Sequence, residues 1–171
     1  MNGLRPAVIL DRDGVLNVDT GYANQPAEIQ WIPGALEAVQ RCHDSGYLVI
    51  VITNQSGVGR GFYDEPTVHR LHNWMANESR EQGGEIAAFL YCPHSPDDDC
   101  ACRKPMPGLF LRAIDEWNID TSRSFSIGDK QRDIDASTAA GIRGYLFDGQ
   151  NLAEFVSPLL ERQRMGNAPQ S

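Results

Sequence analysis

The sequence lacks the features of several large protein classes. It has no apolar stretch near the ~20 residues of a membrane-spanning helix, and the apolar run in its opening MNGLRPAVILD is too short for a secretory signal. Its formal charge of −8 also lacks the positive excess with which nucleic-acid binders neutralise phosphates. We therefore expect a cytoplasmic protein with neither a membrane nor a nucleic acid among its partners.

No internal repeat or low-complexity linker divides the 171 residues. This length suits one domain with a substantial core, and a hydrophobic content of 41% argues against disorder. We expect a single domain over residues 1–164 and a short tail over residues 165–171. Because no apolar stripe is left over for a partner, the expected state is a monomer.

Short apolar runs alternate with amphipathic segments along the chain. The runs predict strands at residues 7–11, 47–54, 87–92, 124–129 and 144–149. Helical patterns cover residues 33–46, 64–82, 107–118 and 133–141, and a last one, from residue 151, is interrupted by Pro158. Nearly continuous apolar strands are typical of a parallel sheet that is covered on both faces. The pattern predicts an α/β fold with a Rossmann-like, doubly wound, mainly parallel sheet.

Polar residues follow the predicted strands where ligands bind in such sheets, beyond the carboxyl ends. Asp11 and Asp13 follow the first strand, and Asp129 and Asp133 follow the fourth. These carboxylates would repel one another unless a cation lay between them, and Mg²⁺ suits oxygen ligands. Taken alone, Asp129 or Asp133 is equally well explained as a helix N-cap. Residues 53–56, TNQS, offer hydroxyl, amide and backbone donors that suit an anion.

The segment CPHSPDDDCACRKP contains three of the four cysteines. Cys92 with His94, and Cys100 with Cys102, are spaced two apart, so each pair points to one side of an extended chain. In a reducing compartment this Cys₃His set indicates structural zinc, with a redox-sensing thiol cluster or packed core cysteines as alternatives. A zinc loop over residues 92–102 would fix the two basic residues that follow it. Cys42 lies far from this cluster in the sequence and is predicted to be an ordinary packed cysteine.

Four segments match a known family in order. DRDGVLN, TNQSGVGRG, CRKP and GDKQRDID resemble the four motifs of the haloacid dehalogenase superfamily of aspartate-nucleophile phosphatases, over residues 7 to about 149. Within it, the Cys-x-His and Cys-x-Cys pairs resemble those of heptose-bisphosphate phosphatases and of histidinol-phosphate phosphatases. The resemblance implies a Mg²⁺-dependent phosphoric monoester hydrolase that works through an aspartyl-phosphate, with Zn²⁺ as a second, structural cofactor.

The resemblance also implies roles for individual residues. Asp11 would be the nucleophile, and Asp13 the general acid and base. Asp11, the backbone carbonyl of Asp13, and Asp129 would hold Mg²⁺, with Asp133 in support, whereas Arg12 has no role that the motif requires. The other catalytic residues would be Thr53 and Lys104, and the substrate-binding residues would be Asp19, Thr20, Gly21, Tyr22, Asn54, Gln55, Ser56, Arg103 and Lys130.

The substrate implied is a small phosphorylated sugar. The two usual insertion points for a cap domain are short here, which predicts a capless enzyme with an open site. Asp19 could accept hydrogen bonds from sugar hydroxyls and Arg103 could bind a second phosphate, which favours removal of the 7-phosphate of D-glycero-D-manno-heptose 1,7-bisphosphate. Histidinol phosphate is the alternative, and the short segment between His94 and Cys100 suits it.

Two further alternatives belong to other classes. A polynucleotide 3′-phosphatase also carries an Asp-x-Asp and a TNQ-like motif, but the acidic balance argues against a DNA end as substrate. A non-catalytic zinc module is disfavoured by the intact set of motif residues. The downstream pathway, whether lipopolysaccharide, capsule or nucleotide sugar, stays open.

Overall fold

Strands and helices alternate along residues 3–166, which the computed structural model describes. The strands are β1 (Ala7–Leu10), β2 (Leu48–Asn54), β3 (Ala88–Cys92), β4 (Phe125–Gly128) and β5 (Arg143–Leu146). The α-helices are α1 (Ala35–Asp44), α2 (Ser56–Gly59), α3 (Glu65–Glu81), α4 (Gly108–Trp117), α5 (Gln131–Ala139) and α6 (Leu152–Gly166). Every predicted strand and helix is present. The four-residue α2 was not predicted because it is too short to show a helical period.

The strands form one parallel sheet in the order β3-β2-β1-β4-β5. The central strand β1 pairs with β2 on one side and β4 on the other, so that Val8 lies between Val49 and Phe125. The chain therefore changes its winding direction at β1. The carboxyl ends of β1, β2 and β4 meet at this switch point, where open α/β sheets bind their ligands.

The sheet is buried on both faces. Val8 and Leu10 of β1 pack into a cluster with residues of α1, α3 and α6, whereas Ala7 and Ile9 pack into a second cluster with residues of α4 and α5. Because neither face meets solvent, the strands need apolar residues at successive positions instead of alternating ones. Burial on both faces therefore explains the continuous apolar runs. Each run ends where the strand leaves the core, and the polar residues begin there.

Helix α6 differs from its prediction. It runs without interruption through Pro158 to Gly166, so the predicted interruption is wrong. Pro158 lies on the exposed side of the helix, where water can reach the carbonyl that the missing N–H leaves free, while Val156, Leu159 and Leu160 are buried on the other side. The predicted tail begins inside this helix, and its residues 167–171 lie outside the described part of the chain.

The two segments where a cap could be inserted are short. Residues 11–34 contain only the three-residue 3₁₀ helix Pro26–Glu28, and residues 93–107 contain no helix or strand. Within residues 3–166, neither segment forms a separate domain, in agreement with the predicted capless fold. None of the helices in this part of the chain combines the length and the apolar character that crossing a membrane requires.

Candidate active site and cysteine cluster

A cavity of about 280 Å³ opens at the carboxyl ends of β1 and β2. Its walls are formed by Asp11, Asp13, Asp19, Gly21, Tyr22, Thr53, Asn54, Ser56, Arg60, Pro96, Arg103, Lys104 and Arg132. All of these except Arg60, Pro96 and Arg132 were predicted as site residues. The sheet topology thus brings residues from distant segments together around one cavity.

Asp11 follows β1 directly and is largely buried, with 8% of its surface exposed. Its Oδ1 accepts hydrogen bonds from the Arg12 backbone N–H at 2.8 Å and from Lys104 Nζ at 3.0 Å. Burial raises the pKa of Asp11 to about 7; Lys104 opposes the rise, and Asp133 and Asp13 add to it. The ionisation of this carboxylate at neutral pH therefore depends on the positive charge next to it.

Lys104 provides a fixed positive charge beside Asp11. Its buried Nζ also lies 2.8 Å from Asp133 Oδ1 and donates to the Ile52 carbonyl at 2.8 Å. Burial disfavours the charge, but the neighbouring Asp11 and Asp133 outweigh it and raise the pKa of Lys104. Asn54 holds the Lys104 backbone through two hydrogen bonds, of 3.0 and 3.2 Å. The ammonium group is therefore charged and has little freedom to move.

Three carboxylates from two strand ends converge behind the cavity. Oxygens of Asp11, Asp129 and Asp133 lie within 4.8 Å of one another. Asp129 Oδ1 is buried without a hydrogen-bond partner in the described part of the chain. Gly14, with φ +89°, permits this approach, since a Cβ there would lie 2.2 Å from Asp129 Oδ2. An all-oxygen set with an unpaired buried carboxylate oxygen fits Mg²⁺.

The Asp13 carboxylate is held by three side chains. Arg12 donates to its Oδ1 from Nε at 3.2 Å and from Nη2 at 3.0 Å, and Asn17 donates to the same oxygen at 3.0 Å. Gln55 donates to Oδ2 at 3.0 Å and to Thr53 Oγ1 at 2.9 Å. Gln55 was predicted to bind substrate, but its side chain is buried under Asp13 and Thr53 and does not line the cavity. Arg12, which had no predicted role, donates two hydrogen bonds to Asp13, whereas Gln55 donates one.

The rim of the cavity agrees with the prediction in part. Asp19, Gly21 and Tyr22 line it, whereas Thr20 and Lys130 do not. Lys130 Nζ instead lies 2.9 Å from Asp129 Oδ2 and 3.6 Å from Asp19 Oδ2. Lys130 therefore connects Asp129, one of the three converging carboxylates, with Asp19 at the rim.

Two arginines in the cavity wall were missed at the sequence level. Arg60 and Arg132 lie inside the second and fourth motif segments, so their position in the motifs was the signal that could have identified them. Arg132 Nε and Arg103 Nη1 are buried and have no hydrogen-bond partner among residues 3–166. The cavity wall thus contains three guanidinium groups, of Arg60, Arg103 and Arg132, in addition to the ammonium group of Lys104.

The four predicted zinc ligands lie together. Their ligand atoms are within 4.8 Å of one another; Cys92 Sγ is 3.8 Å from Cys100 Sγ, and His94 Nδ1 is 3.3 Å from Cys92 Sγ and 3.2 Å from Cys102 Sγ. A tetrahedral zinc ion with bonds of ~2.3 Å to sulfur separates its sulfur ligands by about 3.8 Å. The Cys92–Cys100 pair has this spacing, whereas Cys102 Sγ lies 2.8 Å from Cys92 Sγ and would move away from it when these residues hold the ion.

Cys100 differs from the other cysteines in its pKa, since burial raises the pKa of Cys92 and of Cys102. Although burial acts against it, hydrogen bonds from the backbone N–H groups of Arg103 and Cys102 lower the pKa of Cys100 to about 7. Burial raises the pKa of Cys42 to about 12, and its side chain lies in the core beside the sheet. The prediction that Cys42 is an ordinary packed cysteine is confirmed.

Comparison with known proteins agrees with this geometry. The HAD-hydrolase-like family model matches residues 101–151. The D-glycero-beta-D-manno-heptose-1,7-bisphosphate 7-phosphatase of Rhodopseudomonas palustris is 42% identical over 168 residues, covering 94% of this chain and 93% of the relative. The protein of the same name from Vibrio cholerae is 43% identical over 145 residues, covering 81% and 78%. The crystal structure of D,D-heptose 1,7-bisphosphate phosphatase from B. bronchiseptica, complexed with magnesium and phosphate, has a TM-score of 0.84 at 33% identity, covering 92% of this chain and 99% of that one.

All three are named as heptose 1,7-bisphosphate phosphatases, and they cover 81% to 94% of this chain. They favour the heptose branch over the histidinol-phosphate alternative. The fold, with its parallel five-stranded sheet, is that of the superfamily. The chain is thus a phosphatase of the haloacid dehalogenase superfamily and belongs to the D-glycero-β-D-manno-heptose-1,7-bisphosphate 7-phosphatase family.

Proposed function

We propose that this chain removes the 7-phosphate of D-glycero-D-manno-heptose 1,7-bisphosphate. The observation that carries the proposal is the presence of two separate cationic groups in one cavity. Lys104 lies at 3.0 Å from Asp11, where the reacting phosphate would bind. Arg60, Arg103 and Arg132 line the same cavity and suit a second, non-reacting phosphate.

In the first step, a carboxylate oxygen of Asp11 attacks phosphorus and the bond from phosphorus to the sugar oxygen breaks. Asp13 gives its proton to the departing oxygen. Lys104, Asn54 and the Thr53 hydroxyl stabilise the transferring phosphoryl group. Thr53 Oγ1 accepts a hydrogen bond from Gln55 at 2.9 Å and donates only a long one, of 3.5 Å, to the Asn54 carbonyl, so its hydroxyl hydrogen can turn to a phosphoryl oxygen.

In the second step, water attacks the phosphorus of the aspartyl-phosphate. Asp13, now ionised, takes the proton from this water, and the bond to Asp11 breaks to release inorganic phosphate. Asp13 is 18% exposed at its side chain, so water can reach it from the cavity. Both steps use the same two carboxylates.

The metal requirement follows from the charges around Asp11. Asp11, the backbone carbonyl of Asp13, and Asp129 would hold Mg²⁺, and Asp133 would support them. When bound, the ion neutralises the repulsion between the nucleophile and a dianionic phosphate. The unpaired Asp129 oxygen supports this ligand set.

The cysteine cluster would hold structural zinc. Cys92, His94, Cys100 and Cys102 provide four protein ligands, which leaves no open position for catalysis on that ion. Zinc bound there would fix the backbone directly before Arg103 and Lys104. Thiolate ligands need a reducing environment, which supports a cytoplasmic location.

The rim residues would choose the substrate. We infer that Asp19, in the loop at residues 19–22, accepts hydrogen bonds from sugar hydroxyls. Arg103 would bind the second phosphate, and Ser56 would donate a further hydrogen bond to the substrate. Lys130, beside Asp19 and Asp129, would connect this recognition to the metal site. We propose that the enzyme acts as a monomer, since the sequence leaves no apolar stripe for a partner and the exposed Tyr22 and Phe62 pack against each other, with ring centroids 4.8 Å apart.

The test is phosphate release with Mg²⁺ from heptose 1,7-bisphosphate and from histidinol phosphate. We expect kcat/KM to favour the heptose by about a hundredfold or more, or ~2.7 kcal/mol of transition-state discrimination. A preference for histidinol phosphate would overturn the substrate assignment and leave the catalytic residues unaffected.

A matched experiment isolates the second phosphate. Arg103→Gln should raise KM for heptose 1,7-bisphosphate about tenfold and should leave KM for heptose 7-phosphate, which lacks that phosphate, within twofold. Equal effects on both substrates would remove the distal-phosphate role of Arg103.

A further inference from the structure

A chain of hydrogen bonds leads from Tyr63 to Asp13. The Tyr63 hydroxyl donates to Gln55 Oε1 at 2.8 Å, and Gln55 Nε2 donates to Asp13 Oδ2 at 3.0 Å. Burial raises the pKa of Tyr63, so its hydroxyl stays protonated and remains a donor. Gly57 allows the ring to lie close, since a Cβ there would meet Tyr63 Cε1 at 2.3 Å.

The Tyr63 hydroxyl determines which way the Gln55 amide faces. With Oε1 accepting from Tyr63, the amide must direct Nε2 toward Asp13 and Thr53. A flipped amide would place its oxygen against the Asp13 carboxylate and leave the proton of the half-buried Tyr63 without its protein acceptor. The orientation of Gln55 is therefore set from Tyr63, outside the cavity.

Arg12 holds the other oxygen of Asp13. Its side chain is 1% exposed and makes two hydrogen bonds to Asp13 Oδ1. A third N–H group donates to the Ala23 carbonyl at 2.9 Å, and Nη1 lies 3.2 Å from His72 Nε2. His72 is buried and stacks on Phe89 with ring centroids 4.4 Å apart. The guanidinium group is therefore fixed on all sides.

These contacts make the two Asp13 oxygens unequal. Oδ1 accepts from Arg12 and Asn17, whereas Oδ2 accepts only from Gln55 among the described residues. A carboxylate oxygen surrounded by donors has little room for a proton. We propose that Arg12 and the Tyr63–Gln55 pair are positioning residues that hold Asp13 so that Oδ2 carries the proton given to the leaving group. This inference rests on the general-acid role of Asp13 in the proposed function.

A positioning role can be distinguished from a general structural role by comparing the first-step rate on substrates with different leaving groups. A sugar alkoxide is a poor leaving group and needs the proton of Asp13 in the first step. The 4-nitrophenolate ion is a stable anion and leaves without a proton. A defect in Asp13 positioning should therefore slow the first step with an alkyl phosphate much more than with 4-nitrophenyl phosphate.

The experiment measures the first step in single turnovers with enzyme in excess, using Tyr63→Phe with Mg²⁺. We expect the rate to fall about tenfold with a sugar phosphate and less than twofold with 4-nitrophenyl phosphate. Tyr145→Phe, on the distant strand β5, is the matched control and should leave both rates unchanged. Equal losses on both substrates, or no loss on either, would overturn the proposal.

Two more variants make the result unambiguous. Gln55→Met keeps the approximate length of the side chain but has no N–H to donate to Asp13, and it should show the same preference with a larger loss on the sugar phosphate. Asp13→Asn tests the underlying role and should slow the sugar phosphate by 10²- to 10⁴-fold. If Asp13→Asn slows both substrates equally, the general-acid assignment fails. If it shows the preference and Tyr63→Phe does not, only the positioning proposal fails.

Discussion

At the scale of single residues, the site depends on the charge balance between Lys104 and the acidic residues around it. Lys104 lies 3.0 Å from Asp11 and 2.8 Å from Asp133. It opposes the effect of burial on Asp11, whose pKa is nevertheless raised to about 7. A nucleophilic carboxylate must be ionised, and both Lys104 and a bound Mg²⁺ would lower its pKa, so the acid side of the activity profile at a fixed Mg²⁺ concentration should report the contribution of Lys104.

The change Lys104→Met tests that balance. Below its pKa Asp11 is protonated and cannot attack, and removal of a charge that lowers this pKa must raise it further. We expect the acid-side midpoint of kcat to move to higher pH. We also expect kcat at its plateau to fall by about 10²- to 10³-fold, as when one preorganised donor to the transition state is lost. The measurement is kcat as a function of pH for both proteins.

Lys130→Met is the control for this experiment. Lys130 contacts Asp129 and Asp19 and not Asp11, so its loss should leave the acid-side midpoint in place. An unchanged or lower midpoint in Lys104→Met would contradict the assignment of that midpoint to Asp11.

At the scale of elements, residues 93–107 between β3 and α4 depend on the cysteine cluster for their order. This segment contains no helix or strand, yet it positions Arg103 and Lys104. Asn54 holds the Lys104 backbone at one end, and the four clustered ligands hold the other. A metal ion can supply the folding free energy that such a segment cannot obtain from a core.

Loss of zinc should therefore loosen this segment in particular. We expect about one zinc ion per chain by elemental analysis, and we expect Cys100→Ser to lose it. The variant should be cut by proteinase K within residues 93–101, where the intact protein is resistant. Its melting temperature should fall by about 5–10 °C, since each kcal/mol is worth ~2–4 °C in a chain of this size.

Cys42→Ser is the matched control because Cys42 is packed in the core, away from the cluster. It should keep its zinc and its resistance to cleavage in this segment. A Cys100→Ser protein with a full complement of zinc would show that the cluster does not bind the ion.

The strands and most of the cavity wall could be predicted from the sequence, whereas the contacts of individual side chains could not. Apolar runs predicted all the strands because each strand is buried on both faces, and motif spacing predicted most of the cavity wall because parallel strand ends meet at one edge. The role of Tyr63 was not predicted because it lies outside the motifs, and that of Arg12 was not predicted since a motif does not reveal which way a side chain points within a turn. Gln55 was assigned to substrate for the same reason. Pro158 was taken to interrupt a helix because solvent exposure, which makes it tolerable, is a tertiary property.

At the scale of the whole molecule, folding brings three of the 23 acidic residues together at the functional centre. The sheet brings Asp11, Asp129 and Asp133 within 4.8 Å of one another, and Lys104 is the one ammonium group buried among them. Folding must therefore bring like charges together. A divalent cation that binds only the folded state should stabilise the entire domain.

Magnesium should accordingly raise the melting temperature of this protein. At a concentration a hundred times its Kd, the ion adds about 2.7 kcal/mol to the free energy of unfolding, or about 5–10 °C for a chain of this size. Asp129→Asn removes one ligand and one repelling charge, so it should melt no lower than the wild type without metal and should shift by less than about 2 °C with it. The exposed Asp135→Asn in α5 is the charge-matched control and should keep the full shift. A differential scanning calorimetry series at constant ionic strength makes the comparison, and a full magnesium shift in Asp129→Asn would show that the ion binds elsewhere.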